Sequence, residues 1–185
     1  HRPRERRRQD GVVDIRHDPD KSSSGISLDK YFSAIAHPAE YNYWIDFKNL
    51  TVENGPCAAA CLDSIATVYN IKNQLIVESF MPDPLRFFKQ LGFKICFWVP
   101  YDNFNPDADG VANYIRNCDK LYQFDALSGP HYIYPFLNKY FRKHNLHIWT
   151  NGLITEEDKK IIRELAEKPN IKVILVDYKE NFLRE

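Results

Sequence analysis

The stretch from Tyr43 to Leu50 carries the residues of this chain that are best suited to chemistry. It is an apolar run that ends in an acid, a base and an amide, with Asp46 and Lys48 two positions apart. Because alternate side chains of an extended strand point to the same face, both charges are expected on one side of the strand end. A carboxylate binds hard cations and an ammonium binds oxyanions, so the pair suits a local ion site; a buried salt bridge is the alternative.

A histidine lies where a second, shorter strand is expected to end. Residues 12–15 form a short apolar run, and Pro19 and a serine-rich loop follow it. His17 and Asp18 are therefore expected where this strand opens into a loop.

Strands and helices alternate from Tyr43 onward. Apolar runs bounded by turn residues predict the strands, and helical spacing predicts the segments between them. The predicted strands are 43–50, 74–79, 94–99, 121–127, 146–150 and 172–177, and the predicted helices are 28–35, 53–69, 83–91, 107–117, 132–144 and 155–165. This alternation implies right-handed crossovers and a parallel sheet.

Polar residues recur at the ends of many of these strands. This distribution favours one of two kinds of parallel sheet. A (β/α) barrel assembles its site from strand ends around the rim, whereas an open doubly wound sheet concentrates its site at one switch point. No Gly-x-Gly-x-x-Gly or Walker loop follows any strand, which weakens the alternative of a doubly wound sheet that binds a metabolite. The sequence predicts an α/β fold with a (β/α) TIM-type barrel. Residues 12–15 bring the strands to seven, one short of a barrel.

Composition limits the classes of partner. The 185 residues contain 25 basic and 25 acidic side chains, so no global attraction to nucleic acid is expected and any anion site must be local. No apolar run is long enough to span a membrane, and no signal peptide is visible. We expect a soluble protein, and leave open secretion or a cell-envelope location after loss of a signal peptide. Residues 1–11 are expected to form a basic arm and residues 12–185 one barrel domain.

The order of several short blocks resembles the glycerophosphodiester phosphodiesterase family and its phospholipase-C-like barrel relatives. The resemblance rests on five blocks taken in order: His17-Asp18, Ile45-Asp46-Phe47-Lys48, residues 75–80 followed by Asp83-Pro84-Leu85, residues 147–151, and residues 173–178. It implies a TIM-barrel hydrolase or lyase that cleaves a glycerophospho- or inositol-phospholipid-like phosphodiester, an activity of lipid metabolism. The implied partner is a small phosphodiester or lipid headgroup.

The resemblance also implies roles for individual residues. His17 resembles a catalytic histidine, Asp46 a metal-ligand carboxylate and Lys48 the phosphate-binding lysine of the catalytic site, with Glu78 as a further metal ligand. The implied cofactor is a divalent cation, Mg²⁺ or Ca²⁺, whose ligands are carboxylate oxygens. A loop-stabilising role is the alternative for His17.

Two family features have no counterpart in this sequence. The family has a first strand ending in His-Arg and a following Glu-x-Asp strand, whereas His1-Arg2 begins this chain and no Glu-x-Asp precedes His17. The resemblance therefore implies a barrel that is incomplete or divergent at its N-terminal strands. With an incomplete ligand set the cation would be absent, so the sequence leaves open whether the chain is an enzyme. The alternative is a catalytically inactive barrel remnant that binds a ligand or a protein. Trp149 and Tyr101 are the candidate substrate-binding residues, since rim aromatics can stack on a ligand; simple packing is their alternative role.

Overall fold

The structure is a computed structural model that describes Val13, Ile15 and residues 25–101, 107–150 and 155–176. Within these residues, six strands alternate with helices. The strands are β1 (Tyr43–Asp46), β2 (Leu75–Ser79), β3 (Lys94–Trp98), β4 (Ala126–Pro130), β5 (Leu146–Trp149) and β6 (Ile171–Leu175). The helices are α1 (Leu28–Ser33), α2 (Gly55–Val68), α3 (Leu85–Gln90), α4 (Ala108–Tyr122), α5 (Tyr134–Phe141) and α6 (Glu156–Ala166). None of the described helices is long and apolar enough to cross a membrane.

The six strands form one sheet in the order β1-β2-β3-β4-β5-β6. Strand β3 pairs in parallel with β4, β4 with β5 and β5 with β6. A doubly wound sheet reverses its strand order at the switch point, whereas a (β/α) barrel adds each strand beside the previous one. No reversal occurs among the described strands. The order confirms the barrel-type succession, with six of the eight strands that a TIM barrel needs.

The chain divides into two compact units. The first comprises His1–Val77 and Asp83–Lys94, and the second comprises Glu78–Pro82 and Ile95–Glu185. In the first unit, Phe47 packs against Phe88 with ring centroids 5.4 Å apart. Gly55, at the start of α2, lies so close to Phe87 that an added Cβ would be 2.6 Å from its ring. The missing side chain at Gly55 therefore allows α2 to approach α3.

The second unit is built on the buried strands β3, β4 and β5. Phe97 stacks on Phe124 at 5.0 Å, and Leu127 and Ile148 are fully buried. The Asp125 carboxylate accepts a hydrogen bond from the Ile95 backbone amide at 2.8 Å. That bond joins the beginning of β3 to the residue that precedes β4.

One predicted strand was partly wrong. The sequence predicts a strand over 121–127, but α4 continues to Tyr122 and β4 begins only at Ala126. Gln123 ends the helix in the left-handed conformation (φ 54°), and the Asp119 carboxylate accepts a hydrogen bond from the Phe124 amide at 3.0 Å. The apolar Leu121 that suggested a strand is a largely exposed helical residue.

The predicted strand at 12–15 is described only at two residues. Ile15 donates its backbone N–H to the Ile26 carbonyl at 3.0 Å, and Val13 accepts from the Leu28 amide at 2.8 Å. These bonds tie the segment to the start of α1; neither residue belongs to the six-stranded sheet. The predicted basic arm at 1–11 lies outside the described residues.

Candidate functional site

Asp46 and Lys48 form an ion pair at the carboxyl end of β1. Asp46 is the last residue of the strand, and Lys48 lies just beyond it, so the predicted strand over 43–50 was too long. Asp46 Oδ2 lies 3.9 Å from Lys48 Nζ, and the two side chains are 34% and 28% exposed. The pair is therefore partly open to solvent and is not a buried salt bridge.

The neighbours of this pair hold it at the surface. Phe47, between the two charged residues, is buried against Phe88, so the chain is anchored there. The following loop is closed by Asn54, whose side chain accepts from the Thr51 amide and donates to the Asn49 carbonyl, both at 2.8 Å. These bonds fix the path from Lys48 into α2. The ammonium and the carboxylate thus extend from an ordered turn.

Glu78, the predicted further metal ligand, is buried in the second unit. Its side chain is 3% exposed, and its Oε1 accepts a hydrogen bond from the Ser128 hydroxyl. Burial, and then the nearby Glu78 carboxylate, raise the pKa of the Cys96 thiol well above its usual value. The Glu78 carboxylate is therefore already hydrogen-bonded within the protein.

His147 lies beside Ser128 in the parallel register of β4 and β5. Burial lowers the pKa of His147 to about 4, so its imidazole is neutral at pH 7. Glu78, Ser128 and His147 are thus buried polar residues of the second unit. Ser128 and Glu78 lie on strands that are distant in sequence, so the hydrogen bond between them becomes evident only from the structure.

Trp149 belongs to an aromatic group at the carboxyl ends of strands in the second unit. Its ring packs edge-on against Trp98 at 5.2 Å, and Trp98 packs edge-on against Phe80 at 6.1 Å. Trp98 and Phe80 were not among the predicted site residues, although each stands at the end of a predicted strand. Tyr101 is stacked on Phe136 of α5 with ring centroids 3.9 Å apart. One face of the Tyr101 ring is therefore packed against α5.

The predicted catalytic residue His17 lies outside the described residues. Among the described residues, no three His, Cys, Asp or Glu side chains are grouped as metal ligands. All four cysteines are described, and all are free thiols.

Comparison with protein-family models and with curated protein sequences found no match. Solved structures do match. The glycerophosphodiester phosphodiesterase of Parabacteroides distasonis aligns with a TM-score of 0.60 at 14% identity, over 85% of this chain and 64% of its own. The enzymes of Thermotoga maritima and Agrobacterium tumefaciens give TM-scores of 0.53 and 0.56, at 17% and 14% identity, over 82% and 85% of this chain. This chain has the fold of the glycerophosphodiester phosphodiesterases.

The structural alignments also give the share of each enzyme's length that this chain covers. The chain spans 64% of the Parabacteroides enzyme and 60% of each of the other two, less than two thirds of their length. At these identities the likeness concerns the fold alone. It confirms the prediction of an incomplete α/β barrel of this type.

Proposed function

We propose that this chain belongs to a phosphodiesterase of the glycerophosphodiester or phospholipase-C-like type. The observation that carries the proposal is the partly exposed Asp46–Lys48 pair at the carboxyl end of β1. In parallel α/β barrels, catalytic groups lie at this end of the strands. The proposed substrate is a small glycerophospho- or inositol-phospholipid-like diester.

The two charges suit different parts of such a substrate. The Lys48 ammonium can bind the phosphoryl oxygens as a point charge, and the Asp46 carboxylate can offer oxygen to a hard cation. Cleavage forms a bond from phosphorus to a water oxygen, or to a substrate hydroxyl in cyclising cleavage, and breaks the bond to the leaving alkoxide oxygen. The attacking oxygen loses a proton and the leaving oxygen gains one. His17, outside the described residues, is the proposed proton donor.

Metal dependence is a separate element of the proposal. Among the described residues, no three His, Cys, Asp or Glu side chains are grouped to hold Mg²⁺ or Ca²⁺, and the Asp46 carboxylate is paired with Lys48. Glu78 remains a proposed further ligand, and its Ser128 hydrogen bond would have to yield to a cation. We therefore propose that Asp46 would supply one ligand oxygen to such a cation.

Trp149, in the second unit, is proposed to contact the substrate. With Trp98 and the exposed ring of Phe80 it offers an apolar surface for the glyceryl or lipid part of a headgroup. Tyr101 is proposed as a second contact, through the part of its ring that Phe136 does not cover.

Hydrolysis of a chromogenic phosphodiester, with Mg²⁺ or Ca²⁺ added in separate assays, tests the proposal. We expect turnover by the intact chain and its loss in Asp46→Asn and Lys48→Gln. Glu40→Gln and Lys30→Gln are the matched controls, since both residues are exposed in the same unit. Equal activity of all four variants would refute the assignment.

A barrel that binds a phosphodiester without cleaving it is the second candidate function. It is favoured by the lack of a metal-ligand group among the described residues. In that case the wild-type chain should bind glycerophosphodiester, with Lys48→Gln weakening binding, and should release no product with either cation.

A further inference from the structure

The second unit contains a cleft that the proposed function does not use. Its volume is about 370 Å³, and it lies between one face of α5 and the segment that joins α6 to β6. It is lined by Tyr134, Asn138, Arg142, Lys168, Pro169 and Asn170. Pockets for small molecules begin at about 300 Å³, so the cleft has room for a compact ligand.

One end of the cleft lies at the amino-terminal ends of the strands. Asn170 directly precedes β6, and its carbonyl accepts a hydrogen bond from the amide of Leu146, the first residue of β5, at 2.7 Å. Trp149 stands at the other end of β5, about 10 Å away at the rise of a parallel strand. Neither Trp149 nor the two rings packed next to it line the cleft.

Cationic and amide donors surround the cleft. Arg142 and Lys168 make no side-chain ion pair or hydrogen bond with any residue that the structure describes. Lys172 donates to the Pro169 carbonyl at 2.8 Å, which brings a third cation close to this lining residue. The Nδ2 atom of Asn170 is buried and has no acceptor among the described residues. The lining thus offers several donors and no carboxylate.

From this arrangement we infer that the cleft binds a small oxyanion carried on an apolar or aromatic body. The Arg142 guanidinium presents paired N–H donors that match two oxygens of a phosphate or carboxylate, and Lys168 adds a point charge. The ring of Tyr134 and the side chain of Pro169 offer an apolar wall for the rest of the molecule. Burial raises the pKa of Tyr134, so its hydroxyl stays protonated and can donate as well.

Helix capping is the competing explanation for the same charges. Arg142 follows the last residue of α5, and Lys168 lies two residues beyond α6. Cations at helix carboxyl ends also offset the helix dipole, without any ligand. That explanation predicts a change in stability and no saturable binding.

Titration of the full chain with phenyl phosphate, followed by calorimetry and by NMR of the arginine side chains, tests the inference. We expect saturable binding and a shift of the Arg142 signal. Binding should weaken at least tenfold in Arg142→Gln/Lys168→Gln. It should be unchanged in Lys143→Gln/Arg163→Gln, which removes two exposed charges at neighbouring positions that do not line the cleft. Absence of saturation, or equal weakening in the control, would overturn the inference.

Two further ligands identify the chemistry that the cleft binds, and one further variant separates loss of binding from misfolding. Inorganic phosphate and benzoate compare the phosphoryl group with a carboxylate, and binding of either supports an oxyanion cleft. Should the double variant unfold, Arg142→Lys preserves the charge but removes the paired donors, and we expect it to weaken binding. The shift of the Arg142 signal reports this cleft and not the Asp46–Lys48 pair, so it should occur whether or not the proposed hydrolysis is observed.

Discussion

Replacing Asp46 and Lys48 should affect activity far more than stability. At 3.9 Å, two unit charges attract by about 1 kcal/mol in water and by about 4 kcal/mol at an effective dielectric constant of 20. Because each side chain is roughly one third exposed, the higher figure does not apply, and exposed pairs are worth about 0.2–1 kcal/mol. We therefore expect Asp46→Asn, Lys48→Gln and the double variant to lose less than about 1 kcal/mol of unfolding free energy.

Groups that contact the reacting phosphoryl have much larger effects on rate. Removing one such electrostatic contact costs about 10²–10³ in turnover, or about 3–4 kcal/mol of transition-state stabilisation. Urea unfolding gives the stability of the three variants, and hydrolysis of a chromogenic phosphodiester gives their rates. Stability losses above about 2 kcal/mol would indicate a structural pair, and unchanged rates would exclude both residues from the site.

Three further properties of the fold can be checked directly. His147 has its pKa lowered to about 4 by burial, so the unfolded state binds more protons between pH 4 and 6.5, and stability from this group is lost on acidification. The loss from pH 7.5 to 5 should be about 2 kcal/mol by urea unfolding, and should disappear in His147→Gln. Gly129→Ala should lose about 1–3 kcal/mol, because its Cβ would collide with the buried Ile133 side chain, and Ile133→Val should recover part of that loss; no recovery would argue against overpacking. In thiol labelling of the native chain, the exposed Cys57 should react quickly, whereas the buried Cys96 should react only after unfolding. Equal labelling rates would contradict the burial of Cys96.

Most strands and helices could be predicted from local patterns. Apolar runs such as 75–79 and 94–98 are buried strands, and Gly92 ends the segment between them with a positive φ of 86°. The error at 121–127 arose because an apolar pair at the end of an amphipathic helix looks like the start of a strand. Whether Gln123 adopts the left-handed conformation could not be inferred from its residue type.

The candidate site was predictable only where its parts are close in sequence. Asp46 and Lys48 were paired correctly, although the extended-strand reasoning was incomplete because the strand ends at Asp46. The bond from Ser128 to Glu78 joins residues 50 positions apart, and no local pattern indicates it. The cleft beside Arg142 likewise depends on how α5 meets the segment before β6, which the sequence does not specify.

The proposed activity can be tested most directly by ³¹P NMR of a glycerophosphodiester incubated with the intact chain, with Mg²⁺ and with Ca²⁺ in parallel. Cleavage converts the diester signal into that of a phosphomonoester or a cyclic diester, and the product identifies hydrolysis or cyclising cleavage. We predict a product signal with the wild-type chain and at least 100-fold less with Asp46→Asn, the scale expected for loss of one electrostatic contact at the reacting group. A diester signal that stays unchanged with both cations would contradict a phosphodiesterase and support the non-cleaving barrel.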